Sequence, residues 1–300
     1  MLNLVRMNMY RMVHMKSARI LLLILIGMAA LTVYLHHLDL DQENVVQETK
    51  QKEYDSATLG FSLTVEGEQA DEEDMEESSD GKFGIYSEEP EGTDGKMAPF
   101  IAYFYADLAS GLLLIFLTIM VVMFVNSENS TGFIKNIAGQ TASRTSIYLA
   151  KFPAILCYTV LFMLVYGVCQ WVTMKIVYGK EIVFGVEQVG EYAPLIGIQV
   201  LLFFAFLCGI AMITSVSRSN VIGITTGILC AMGVGGNLAL LFKRVLDIDD
   251  VEMYFVMRNI NQLSTEADSA AIQLAIGVGI AYMLAYLLIG NLCFVKRDVV

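Results

Sequence analysis

The chain has 300 residues, of which 56% are hydrophobic and 17% are charged, and its formal net charge is −12. The apolar fraction exceeds the roughly 45–50% that soluble domains contain, so the composition predicts an integral membrane protein. Only four prolines, and five cysteines that all fall within apolar runs, exclude a linker-rich chain and a disulfide-stapled one.

The first 38 residues predict a surface helix followed by a membrane span. Residues 1–19 contain basic residues and no acid, and their apolar residues share one helical side, which is typical of an amphipathic elbow lying on a membrane. Residues 20–38 are the first uncharged run long enough to cross about 30 Å of hydrocarbon. A cleaved signal peptide is the alternative, but the apolar run continues past Ala30, which favours an uncleaved anchor.

Residues 39–98 form the one large insert that is predicted to lie outside the membrane. It holds 19 acidic residues and only four basic ones, which predicts a solvated and largely unstructured segment. Two short stretches, residues 59–65 and 83–85, alternate with period two and predict a small β-hairpin. Two interpretations of the insert remain open: a solvated loop, or a carboxylate-rich rim that concentrates cations at a pore.

Residues 99–125 predict the second span, which contains Asp107, the only carboxylate inside any apolar run. The residues that follow Asp107 are almost enough to cross the bilayer by themselves, so we expect its side chain at the outer boundary with water in reach. A structural role at that boundary and a role in a path for cations or peptides are both compatible with this position.

Residues 126–151 interrupt the apolar runs with a polar segment in which Glu128 is the only acid. Within it, residues 132–139 predict a short amphipathic helix with these residues on one face: Phe133, Ile134, Ile137 and Ala138. A basic, amphipathic segment between two spans has two interpretations. It is a loop lying on an anionic membrane surface, or a docking helix that takes force from a cytosolic partner.

The remaining chain predicts four further spans, at residues 152–174, 192–216, 221–242 and 269–295. They are joined by an outer loop at 175–191, an inner turn at 217–220 and an outer segment with a helical centre at 243–268. Residues 296–300 form the tail. Small residues in the last two spans predict close helix packing: Gly223, Gly227, Gly235, Ala275 and Gly279.

The distribution of charge predicts the orientation of these six spans. The segments on one side hold ten Lys or Arg residues and two acids, whereas those on the other side hold nine basic residues and 28 acids. Because basic residues are enriched on the cytoplasmic side, both termini and residues 126–151 are predicted to be cytoplasmic. The expected fold is therefore an all-α integral membrane protein with six transmembrane helices.

The sequence lacks the motifs of the common catalytic centres. It has no phosphate-binding G-x-x-x-x-G-K-[ST], no H-E-x-x-H zinc motif and no nucleophile elbow. We therefore expect no enzymatic activity, no catalytic residue, no metal site and no cofactor in this chain, and no nucleic acid among its partners.

Eight residues of the polar segment stand in a characteristic order: Glu128, Gly132, Phe133, Ile134, Lys135, Ser143, Arg144 and Lys151. This ordered set resembles the cytoplasmic loop of ABC-2 type transporter permeases. The elbow, the spans and the large first outer loop extend the resemblance over the whole chain. The stretches GFIKNIAGQ and NLVRMNMYRM are most similar to permeases of lantibiotic and peptide-antibiotic export and immunity systems in Gram-positive bacteria.

The resemblance implies a permease subunit in the bacterial plasma membrane. Its partners would be a second permease subunit and separate ATP-binding subunits, which hold the ATP and Mg²⁺. The implied docking residues are Gly132, Phe133, Ile134, Lys135 and Ile137, anchored by Glu128 and Arg144. Asp107 would lie on the path of a peptide or amphiphilic antimicrobial compound.

Two other function classes stay open. One is a membrane sensor or scaffold that uses the acidic insert and needs no ATPase. The other is an ion-coupled transporter that uses Asp107. The length and acidity of residues 39–97 depart from the pattern of the permeases, so the substrate is not assigned from the resemblance.

Overall fold

The computed structural model describes residues 2–34, 98–130, 143–179, 182–234, 251–265 and 267–296. All regular secondary structure within these ranges is helical, as the composition predicts for a membrane protein. Three predicted features lie outside the described residues: the hairpin in the acidic insert, the docking helix at residues 132–139, and Gly235.

Two consecutive helices form the N-terminal part of the chain. Helix α1 spans Leu2–His14, and helix α2 spans Lys16–Tyr34, with Met15 between them. The predicted boundary between the elbow and the first span, at residues 19 and 20, therefore lies inside α2. The basic residues before that boundary extend the helix because Lys and Arg are good helix formers.

The residues predicted as a single second span form two helices. Helix α3 spans Phe100–Ala109 and helix α4 spans Leu112–Ser130, and their axes are bent by 56°. Ser110 and Gly111 form the joint, where Gly111 has a φ of +75°. A residue with a side chain rarely adopts this left-handed conformation, so the glycine permits the break.

The second half of the chain consists mainly of three long helices. Their bounds, with those of the shorter helices between them, are α5 Arg144–Leu149, α6 Phe152–Val177, α7 Val189–Ser217, α8 Asn220–Ala231, α9 Val256–Gln262 and α10 Ser269–Lys296. Side chains cap two of them: Ser143 Oγ accepts a hydrogen bond from Ser146 N, and Ser219 Oγ from Ile222 N. Single 3₁₀ turns, Val186–Gln188 and Val251–Tyr254, precede α7 and α9.

Four of the described helical segments are long and apolar enough to cross a membrane: Lys16–Tyr34, Arg144–Val177, Val186–Ser217 and Ser269–Lys296. The bent pair α3–α4 is a fifth if its two helices count as one span. The protein is therefore membrane-embedded. Of the predicted fifth span at residues 221–242, the structure describes the short helix α8, and residues 235–242 lie outside the described ranges. Six spans remain a prediction.

Helix α7 is buried along most of its length and forms the centre of the bundle, with α4, α8 and α10 packed around it. Two of the glycines predicted to permit close packing lie where α8 meets α4. A Cβ atom on Gly223 would come within 2.9 Å of Val122, and one on Gly227 would clash with Thr118. Membrane helices gain packing contacts by such close approach, because lipid provides little hydrophobic drive for association.

Substituting Gly227 by Ala is expected to lower the free energy of unfolding by about 1–3 kcal/mol, because the added methyl group overpacks the α4–α8 contact. The matched control is Gly277→Ala on α10, where a Cβ atom would meet nothing within 4 Å. Its expected effect is neutral, or stabilising by up to about 1 kcal/mol. Unfolding in mixed micelles measures both variants, and equal effects would contradict the packing argument.

Candidate functional site

Two clusters of largely buried polar side chains contact α6, one at its N-terminal end and the other between its middle and its C-terminal end. The Glu128 cluster consists of Arg11, Glu128 and Lys151. The Asp107 cluster consists of Thr32, Asp107, Tyr166 and Gln170. Burying charged or polar groups in an apolar bundle is unfavourable unless each has a partner, and such groups in membrane proteins often have a function. Both clusters are therefore candidate functional sites.

The Glu128 cluster is built around one almost fully buried carboxylate. Glu128 lies near the C-terminal end of α4 and is 1% exposed. Arg11 of α1 contacts its Oε1 through Nη2 at 3.1 Å, and Lys151, just before α6, contacts its Oε2 through Nζ. The two oxygens of one carboxylate therefore bind cations from two different parts of the chain.

Both cations of this cluster have further contacts that hold them in place. The Arg11 guanidinium lies 5.0 Å from the centre of the Phe124 ring, and its Nη2 donates to Phe124 O at 3.3 Å. Lys151 Nζ lies 5.2 Å from the centre of the Phe294 ring on α10. Contacts of this kind between a cation and an aromatic face are attractive, most strongly when water is excluded. The cluster thus joins α1, α4, α6 and α10.

The position of the Glu128 cluster along the chain connects it to the polar segment. Residues 131–142 lie outside the described ranges. In the chain they follow Glu128 closely and end just before Arg144. Arg144 begins α5 and donates from Nη1 to Val295 O on α10 at 3.3 Å. Lys151 follows α5 directly. Glu128 and Arg144, the described residues on either side of the predicted docking segment, therefore bind the bundle through their charged side chains.

The Asp107 cluster lies beside the joint of the bent pair. Asp107 is 3% exposed, and its Oδ2 accepts hydrogen bonds from Tyr166 Oη at 2.6 Å and from Gln170 Nε2 at 2.7 Å. Tyr166 Oη also lies 3.2 Å from Thr32 Oγ1 on α2. Protein donors thus surround a carboxylate that was expected to have water in reach. The cluster connects α2, α3 and α6.

A second set of hydrogen bonds fixes the short helix α9 against the bundle. Gln199 Nε2 of α7 donates to Ile260 O at 2.7 Å, and Tyr105 Oη of α3 donates to Leu263 O at 2.5 Å. Both acceptors are carbonyl groups at the C-terminal end of α9, which have no partner within a helix that stops there. Met257 of α9 lies against Gly111, so α9 covers the joint between α3 and α4.

Some of the predicted site residues lie in the two clusters or on α10, and the others lie outside the described ranges. Glu128 is in a buried cluster, Arg144 is fixed to α10, and Asp107 is in a second cluster. Ala275 and Gly279 are buried on α10, where a Cβ atom on Gly279 would lie 3.2 Å from Leu201. The implied docking residues lie outside the described ranges: Gly132, Phe133, Ile134, Lys135 and Ile137.

Several residues that make these contacts were not singled out from the sequence, among them Gln170 of the Asp107 cluster and Gln199, which binds α9. Both are amides inside long apolar runs, and that position was an available signal, because an amide in a span needs an internal partner. The pairing of Arg11 with Glu128 had no comparable local signal. Among the described residues, no group of three His, Cys, Asp or Glu side chains is arranged to hold a metal ion.

Comparison with protein-family models gives a match over most of the chain. A family model with the description "Protein of unknown function (DUF2705)" matches residues 75–300, about three quarters of the chain. The matched region includes Asp107, Glu128 and Lys151 and begins after α1 and α2, which carry Arg11 and Thr32. No curated protein matches the sequence.

Proposed function

The chain belongs to the family described as protein of unknown function (DUF2705), and we propose that it is the membrane-spanning permease subunit of an ATP-binding cassette exporter. A separate ATPase subunit drives it from the cytoplasmic side. Its cargo is a peptide or an amphiphilic antimicrobial compound. A second permease subunit, identical or related, completes the transporter in the bacterial plasma membrane.

The observation that carries this proposal is the Glu128 cluster. A subunit without its own ATPase must receive force from a partner and pass it to its membrane helices. The polar segment 131–142 is bounded by Glu128 on one side and by α5 and Lys151 on the other. Because the cluster also holds Arg11 of α1, a push on the segment would move the elbow helix, α4 and α6 together.

The charge of the segment agrees with contact to a cytosolic protein. Positive-inside asymmetry predicts the segment and α1 on the cytoplasmic side, where an ATPase subunit can reach them. Lys135 and Arg144 would face that partner, with Phe133, Ile134 and Ile137 forming an apolar contact face. Contacts of this mixed kind, with an apolar centre and a charged rim, are typical of specific interfaces.

The test is co-purification of the tagged full chain with an ATPase that carries a Walker motif, followed by measurement of Mg²⁺-dependent ATP hydrolysis. We expect the reversal Lys135→Glu to reduce the ATPase recovered at least tenfold, because placing like charges against each other at an interface costs several kcal/mol. Gly132→Pro, tested separately, is expected to do the same by fixing the backbone at the start of the segment. The control is Lys180→Glu, at a basic residue predicted to lie on the outer side.

Two results would reject the proposal. One is full transport in vesicles that lack any nucleotidase. The other is cysteine labelling that places residues 132–139 on the same side of the membrane as the acidic insert at 39–97. Either result would remove the partner or its access to the docking segment.

A second candidate function is favoured by Asp107, a carboxylate buried beside a broken helix. Broken helices and intramembrane carboxylates are typical of ion-coupled transporters. In that case transport would follow an imposed gradient of protons or Na⁺ without ATP, and Asp107→Asn would abolish it. ATP-dependent transport whose rate does not change with such gradients would exclude this candidate.

A further inference from the structure

The bent pair α3–α4 has a joint whose conformation is well defined. Ser110 Oγ donates to Asp107 O at 2.8 Å and accepts from Leu112 N at 3.3 Å, so one hydroxyl caps both helix ends. Gly111 takes a left-handed φ that other residues rarely adopt. The backbone hydrogen bonds of the joint run from Ser110 and Gly111 back into α3 and from Leu114 of α4 to Gly111 O. The angle between the two helices therefore depends on what holds each of them.

Two helices contact both members of the bent pair: α7 packs against them, and α6 binds each of them through buried polar side chains. Helix α6 binds α3 through Tyr166 and Gln170, which donate to Asp107. At its N-terminal end, Lys151 binds α4 through Glu128. At a rise of 1.5 Å per residue, the two attachment points on α6 lie roughly 22–28 Å apart, most of the thickness of a bilayer core.

These three connections form a closed triangle. Its corners are the joint at Gly111, the attachment of α3 at Asp107 and the attachment of α4 at Glu128. A helix resists stretching because its backbone hydrogen bonds would have to break, whereas a glycine joint turns more easily. Separating Glu128 from Lys151 would leave uncompensated charges in a buried environment, so this attachment is unfavourable to break.

We propose that α6 sets the angle between α3 and α4, so that the bent pair works as a two-armed lever with its hinge at Ser110–Gly111. While both attachments hold, the angle at the hinge is fixed, and releasing either one frees α3 to turn relative to α4. The Glu128 cluster and the Asp107 cluster are thereby mechanically linked through α6. This link is a property of the chain itself and does not depend on an ATPase partner.

The two cations on Glu128 provide a matched pair of variants. Lys151→Met releases α6 from α4, whereas Arg11→Gln releases α1 and leaves α6 attached. Hydrogen exchange of the backbone amides is measured on the full chain in lipid nanodiscs. We expect Lys151→Met to speed exchange in α3, Phe100–Ala109, about tenfold, although Lys151 does not touch α3. Arg11→Gln should leave exchange in α3 unchanged.

Further variants separate the link from general destabilisation. The triple variant Asp107→Leu, Tyr166→Phe and Gln170→Leu removes the attachment of α6 to α3 and should speed exchange in α3 by a similar factor. Lys151→Met added to this triple variant should then have little further effect, because the link is already cut. Amides of residues 269–280, in the half of α10 that does not contain Phe294, are the internal reference and should not change. If Lys151→Met does not fold, Lys151→Gln takes its place with a smaller effect in the same direction.

The proposal is overturned by any of three results. Exchange in α3 could stay unchanged in Lys151→Met, change equally in Arg11→Gln, or accelerate together with exchange in residues 269–280 of α10. Since no ATPase takes part, a failure here leaves the proposed docking function standing, and a failure of docking leaves the lever standing.

Discussion

Replacing Glu128 by Gln is expected to lower the free energy of unfolding by about 3–5 kcal/mol, the largest effect of any single substitution considered for this chain. The variant removes the one carboxylate between Arg11 and Lys151 and leaves two cations close together. Lys151 is 2% exposed, so water cannot solvate its ammonium group in place of the lost carboxylate unless the bundle opens. Glutamine keeps the volume of the side chain, so the change isolates the charge.

Unfolding in mixed micelles, followed by circular dichroism, measures this effect. The matched control is Glu191→Gln in the first turn of α7, at a carboxylate exposed to its surroundings. Its expected change is within about 0.5 kcal/mol, as for most surface substitutions. A Glu128→Gln variant as stable as this control would mean that the ion pairs contribute nothing net, and the structural basis for force transfer would be lost.

Replacing Asp107 by Leu is expected to destabilise the protein by about 3 kcal/mol, because Tyr166 Oη and Gln170 Nε2 lose their shared acceptor. Asp107→Asn should cost less, since its side-chain oxygen still accepts a hydrogen bond. Leaving donors without partners is more costly than the original hydrogen bonds are favourable.

This asymmetry gives a sharper second test. In the triple variant Asp107→Leu, Tyr166→Phe and Gln170→Leu, both donors and the acceptor become apolar. Its stability should return to within about 1 kcal/mol of the unaltered chain, because replacing all partners by apolar groups of similar shape is nearly neutral. A triple variant less stable than Asp107→Leu alone would show that the side chains matter for their shape and not for their hydrogen bonds.

The helical, membrane-embedded character of the protein could be predicted because hydrophobic length is a local property of the sequence. Long apolar runs without charges gave helices with bounds close to those expected, as in α6, α7 and α10. The break at Ser110–Gly111 could not be predicted from hydropathy, since the residues on both sides are equally apolar. The Ser-Gly pair was its only signal, and such pairs also occur in unbroken helices.

The two clusters could be predicted only in part. The resemblance to permeases singled out Glu128, but its partners depend on how α1 and α6 pack, and Arg11 is far from Glu128 in sequence. Asp107 was placed at the outer boundary with water in reach because its depth was estimated from length alone. Once α3 bends away from α4, length along the chain no longer measures depth, and Asp107 is enclosed by α6.

The ion pair between Glu128 and Lys151 also bears on biosynthesis. Ribosomes synthesise Glu128 before Lys151, so when α4 leaves the translocation channel its carboxylate has only Arg11 as a counterion. The complete cluster can form only after Lys151 has been synthesised and α6 has packed against α4. Assembly of the N-terminal half is therefore completed by a helix made after it.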